Sequence, residues 1–164
     1  MRALFSATLM SLSLCITSQA FAFKCYITLM KSQCWNKHKV NFRVMDNLTE
    51  QNILEGIHLD DGKMWVRKEF ECNTAQGLVP KVRFTPHLWD SEKDREFSTK
   101  RVWFLPLTIE KNAQAWNVPI CFPTDFASVP IPPTADRECT CEDIKEQVPP
   151  LAPPVPDFIK NKKK

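Results

Sequence analysis

The residues whose type and spacing bear most directly on chemistry are six cysteines: Cys25, Cys34, Cys72, Cys121, Cys139 and Cys141. A seventh, Cys15, lies in an apolar leader. Thiols in this number serve as disulfides, as metal ligands or as exchange nucleophiles. Zinc sites draw on paired Cys-x-x-Cys or Cys/His spacings, and the chain has none. Exchange chemistry needs a thiolate held by a neighbouring cation. No histidine or lysine stands within two residues of Cys139-Thr140-Cys141, and the flanking Glu138 and Glu142 disfavour a further negative charge there. Three disulfides using all six thiols are therefore expected. Cys139 and Cys141 are poorly placed to bridge each other, because a disulfide demands a narrow range of Cα separation and a dihedral near a right angle. On an extended segment both point to one side, and each reaches a different partner. Which partners they reach is left open.

Other reactive groups are sparse. His38, His58 and His87 are the histidines available as general bases. His38 stands between Lys37 and Lys39 on an expected surface loop, and His58 on the polar side of an expected hairpin. His87, after Pro86 and beside Leu88 and Trp89, is the one candidate worth following. Asp60-Asp61 looks like a carboxylate pair, but Gly62 after it makes both turn residues. There is no Gly-x-Ser-x-Gly elbow, no His-Glu-x-x-His element and no glycine-rich phosphate loop. The sequence thus nominates no catalytic residue, no cofactor-binding residue, no metal ligand and no cofactor.

The elements that must position these residues begin after a leader. Arg2 precedes an apolar run from Ala3 to Ile16, and Ala20-Phe21-Ala22 fits signal peptidase cleavage before Phe23. The run is shorter than the roughly 20 apolar residues of a spanning helix. An even set of thiols on an exported chain belongs to an oxidising compartment, periplasmic or secreted. Removing Arg2 leaves 21 basic residues of the 22 against 19 acidic ones. Four of those 21 are Lys160, Lys162, Lys163 and Lys164, which together offer weak contact with an anionic membrane surface. The remainder is close to neutral, so the clustered basic face that nucleic acid requires is not expected. Asn47-Leu48-Thr49 matches a glycosylation acceptor, which matters only in a eukaryotic secretory route.

Composition divides the chain into a leader (1–22), a β-rich body (23–122), a proline-containing segment fastened by Cys139 and Cys141 (123–147), and an extended Pro-rich and Lys-rich tail (148–164). In the body, Cys25, Ile27 and Leu29 alternate with polar residues, as do Val40, Phe42 and Val44, and Val82 and Phe84. Further strands are expected at Glu69–Cys72, Lys81–Thr85, Lys100–Leu105 and Val118–Phe122. Asp61-Gly62 suggests a two-residue hairpin in which His58 faces Trp65 and Ile57 faces Val66. Leu48–Leu54 reads as a short helix capped by Asn47. The fold expected is mainly β: a small antiparallel β-sandwich or open barrel, stabilised by disulfides, with an extended Pro-rich C-terminal tail.

The segment after residue 121 lacks the alternation to dock by packing alone, so two bridges, each contributing roughly 2–4 kcal/mol, are expected to hold it. The expected role is contact with a protein partner in the cell envelope or outside the cell, as in an accessory subunit of a bacterial envelope or secretion assembly. The nominated contact residues are Trp89, Trp116, Pro149, Pro150, Pro153, Pro154 and Pro156. Two other roles fit the composition: a secreted hydrolase or thiol-redox enzyme, and a secreted effector or inhibitor.

Overall fold

A computed structural model describes residues 23–107, 117–136 and 138–151. Its eight strands are β1 (Phe23–Lys31), β2 (Lys39–Asp46), β3 (Asn52–Leu59), β4 (Trp65–Cys72), β5 (Gly77–Thr85), β6 (Phe97–Ser98), β7 (Trp103–Phe104) and β8 (Asn117–Phe122), followed by a one-turn helix α1 (Glu142–Lys145). They form two sheets. One is three-stranded, β4–β1–β8; the other is five-stranded, β3–β2–β5–β6, with β7 also paired to β5. The alternation in β2 and β5 places Val40, Phe42, Val44, Val82 and Phe84 inward, where they meet Cys25, Ile27 and Leu29 of β1. Trp35, wholly buried, packs its ring 4.5 Å from Phe84 and 4.8 Å from Phe122 at the centre of this core. The fold is the mainly β, two-sheet, disulfide-stabilised class expected, with one difference: β1 and β8 run parallel.

The Asp61-Gly62 turn forms, since Lys63 N donates to Asp60 O at 3.1 Å, but it does not make a hairpin. β3 pairs with β2, where His58 faces Asn41, and β4 pairs with β1, where Trp65 faces Met30. The turn therefore carries the chain from one sheet to the other. Backbone geometry explains this. A type I′ hairpin needs positive φ at both central residues, and only Gly62 has it, at 73°.

A buried lysine consolidates the same corner. Lys31, with no exposed surface, points its ammonium at four carbonyls: His38 (2.7 Å), Asp60 (2.8 Å), Asn36 (3.3 Å) and Leu59 (3.4 Å). Those carbonyls belong to the β1–β2 connection (Asn36, His38) and to the end of β3 and the β3–β4 connection (Leu59, Asp60), the two crossings between sheets, so one side chain serves both. Burial lowers the Lys31 pKa, and Asp61 and Asp60 oppose that shift.

Two other expectations are corrected. Residues 47–51 are a hairpin loop between β2 and β3 and not the start of a helix. Asp46 Oδ1 accepts from the Leu48 and Thr49 amides at 2.9 and 3.0 Å, an arrangement that competes with helix. His38 lies on the β1–β2 connection, as the expected loop has it, but its ring is half-buried, 5.0 Å edge-on from Trp35, and not a surface group.

Candidate docking surface

The three disulfides are Cys25–Cys72, Cys34–Cys139 and Cys121–Cys141, with Cα separations of 5.9, 5.5 and 5.9 Å. The first ties β1 to β4 within the core. The other two hold the segment around Cys139-Thr140-Cys141, which we call the strap, to the β1–β2 connection and to β8. From Cys141 the strap lies along the outer face of the three-stranded sheet. There Ile144 and Cys141 pack on Met30 and Cys121, with Trp65, Met64 and Val148 at the margin.

Packing joins the two bridges in holding the segment between β8 and the strap. Phe126 is buried in the main core, 5.7 Å ring to ring from Phe122, and its backbone bridges Thr99. The tail likewise leaves the body later than residue 148. Val148 is partly buried against Met30 and its neighbours, and Arg67 Nη2 donates to the Pro149 carbonyl at 2.8 Å.

Two clefts flank the strap. One of about 260 Å³ is lined by Thr28, Arg67, Asn117, Val148, Pro149 and Leu151, among others. A second, of about 320 Å³, includes Arg101, Trp103, Asp125 and Glu142. Met30, Pro119 and Lys145 line both, so the two form a continuous groove along β8. Arg101 stacks its guanidinium 3.8 Å over the Trp103 ring, closing one wall. The free edge of β8 does not invite another strand. Pro119 has no amide hydrogen, and the Cys121 amide donates to Asp125 Oδ2 at 2.7 Å. The groove therefore offers side chains and a proline-lined wall, not a sheet edge.

Of the nominated contact residues, Pro149 and Pro150 are exposed on this groove. Trp89 is 47% exposed but lies on the β5–β6 connection, apart from them. Trp116, Pro153, Pro154 and Pro156 lie outside the described residues, as do the leader and the four terminal lysines. Sequence reasoning missed Thr28, Met30, Arg67 and Lys145. The signal was present in β1: Ile27-Thr28-Leu29-Met30 is an unbroken run buried on both faces, as happens when a strand is covered from both sides.

The histidines are not assembled with a nucleophile. His58 Nδ1 lies 2.6 Å from Asn41 Oδ1 on an exposed surface. His87 Nε2 is 3.4 Å from Asp90 Oδ1, three residues away. The His38 pKa is lowered, first by burial and then by Lys31, against a smaller opposite effect of Asp61. All six cysteines are bridged, so none stands as a thiolate. Among the described residues no group of three His, Cys, Asp or Glu side chains is arranged to hold a metal ion. Nor is any helix among them long and apolar enough to cross a membrane. No protein-family model, curated protein or solved structure matches the chain.

Proposed function

We propose that the chain is an exported, non-enzymatic interaction protein that presents its proline-rich arm to a protein partner in the cell envelope or outside the cell. One observation carries this reading: the strap is anchored by Cys34–Cys139 and Cys121–Cys141 and its last described turn is held by Arg67 at the Pro149 carbonyl. The arm thus leaves the body from a fixed place, beside a groove. Proline restricts its own backbone and that of the preceding residue, so Pro149-Pro150-Leu151-Ala152-Pro153-Pro154-Val155-Pro156 favours an extended form before it meets a partner. Order held in advance lowers the entropy lost on binding. The leader and the three bridges support a periplasmic or secreted location. An accessory subunit of an envelope or secretion assembly is the role these features fit.

The test is site-specific photo-crosslinking in the native envelope or culture fluid. A crosslinking side chain at position 150 or 155 should yield one discrete adduct with a different protein, and one at position 89 should yield no such adduct. An adduct from position 89 with none from the arm would move binding to the body and overturn the reading.

A further inference from the structure

A second surface lies on the opposite side of the molecule. Alternate residues of β2 and β5 face outward from the five-stranded sheet: Lys39, Asn41 and Arg43, and Lys81, Arg83 and Thr85. Glu96 sits among them. Arg43 Nε donates to its Oε1 at 2.7 Å with a second link from Nη2, while Arg83 Nε and Lys81 Nζ stand farther off at 3.7 and 4.0 Å. One carboxylate, committed to Arg43, therefore serves three cations. The cleft here, about 280 Å³, is lined by Asn41, Arg43, His58, Arg83 and Glu96. It meets a larger one of about 390 Å³ that adds Lys93, Asp94 and Arg95, since Asn41 and Arg83 line both. Neither Lys93 nor Arg95 has a carboxylate partner among the described residues, and Arg95 rests 4.9 Å over the Phe97 ring. Four cations along the trough (Arg43, Arg83, Lys93, Arg95), with Lys81 beside Glu96, thus face three acids: Glu96, Asp94 and Glu55, the last acting on Arg43 from β3.

The strap has the opposite character. Glu138, Glu142, Asp143 and Glu146 are exposed along it. Only Glu142 is paired, with Lys145 at 2.6 Å, and no salt bridge engages Glu138, Asp143 or Glu146 among the described residues. The strand residues beneath do not cancel this charge, because Lys24 and Arg67 are matched there by Glu69 and Glu71. A body close to neutral overall therefore keeps unpaired cations on one outer face and unpaired acids on the other.

We infer that the trough on the five-stranded sheet receives the acidic strap of a second copy of this chain, in a head-to-tail contact. Charge complementarity commits the occupant: each copy carries both halves, and the strap is fixed by two disulfides and needs no ordering to dock. Because the two halves lie on opposite faces, the contact is heterologous and leaves one half free at each end of a pair, so association extends beyond dimers.

The experiment is analytical ultracentrifugation of the oxidised chain purified from an exporting host, over a concentration series. Mean mass should rise with concentration at low salt and return to the monomer in ~1 M salt, where screening reaches about 3 Å. Two charge-reversed proteins, Arg83→Glu/Arg95→Glu and Asp143→Lys/Glu146→Lys, should each stay monomeric while keeping the wild-type circular dichroism spectrum. Mixing the two should restore association, since each then supplies the half the other lacks. A wild-type chain monomeric at every concentration would overturn the inference, as would association untouched by either reversal or a mixture that remains monomeric. If an acidic peptide or anionic polysaccharide binds the trough while the chain stays monomeric, the occupant is not a second copy and the inference also fails.

Discussion

Arg67 and Pro149 are 82 residues apart in sequence, yet the Arg67 guanidinium donates to the Pro149 carbonyl at 2.8 Å. That contact holds the end of the strap to β4 of the body. Truncation after Leu151 should leave the denaturant midpoint of unfolding unchanged. Truncation after Gln147 removes the Val148 packing and the Arg67 contact and should lower stability by about 1–2 kcal/mol. Equal midpoints for the two truncations would show that residues 148–151 do not hold to the sheet.

Lys31→Met should destabilise the fold by about 2–4 kcal/mol. Methionine fills the space but donates no hydrogen bond, leaving the carbonyls of His38 and Asp60, the two nearest, without their donor. Chemical denaturation checks this, and a loss under about 0.5 kcal/mol, the range of ordinary surface substitutions, would contradict the corner described for Lys31.

Two glycine positions should behave differently, one strained in its backbone and the other crowded. At Gly62 a Cβ meets nothing within 4 Å, so the cost of Gly62→Val is the backbone at φ 73°, about 1–2 kcal/mol. Gly77→Ala instead brings a Cβ to 2.9 Å from Asn47 Cβ and 3.0 Å from Val102 and Phe104 carbons, costing about 1–3 kcal/mol. Gly62→Asn, which tolerates positive φ, should recover most of the loss, whereas no small replacement short of glycine should rescue position 77.

His38 should make stability sensitive to acid. Burial lowers its pKa in the fold below the ordinary imidazole value of about 6.5, so the unfolded chain binds the proton more readily. Its contribution is complete above about pH 6.5 and is lost as pH falls through the folded value. Comparing unfolding midpoints of wild type and His38→Phe between pH 7.5 and 5 should show the wild type losing more stability on acidification. Parallel profiles would remove His38 as the cause.

Much of this fold was legible because two-residue periodicity survives burial on one face. Val40-x-Phe42-x-Val44 and Val82-x-Phe84 announce their strands, and the bridge count follows from the six cysteines that remain once Cys15 is set apart in the expected leader. The errors share one cause: local patterns do not say which distant strand takes the pairing. Asp61-Gly62 sits between runs that match across a hairpin, yet Lys31, 29 residues before Asp60, gathers the carbonyls around the turn, and β1 takes β4. The groove was harder still to see. Arg67, Lys145 and Pro119 meet because two disulfides and the packing of Ile144 on Met30 fold the strap back over β1 and β8, and the sequence left the pairing of those cysteines open.

The most direct test of the proposed function compares residues 23–151 with 23–164, both expressed in the native host with a leader and an affinity tag. The two proteins should share an unfolding midpoint and an intact set of three disulfides. The longer protein should co-purify with its partner, and the shorter should recover it at background level. Equal recovery by both would contradict the account, leaving the arm as a spacer and assigning the contact to the body.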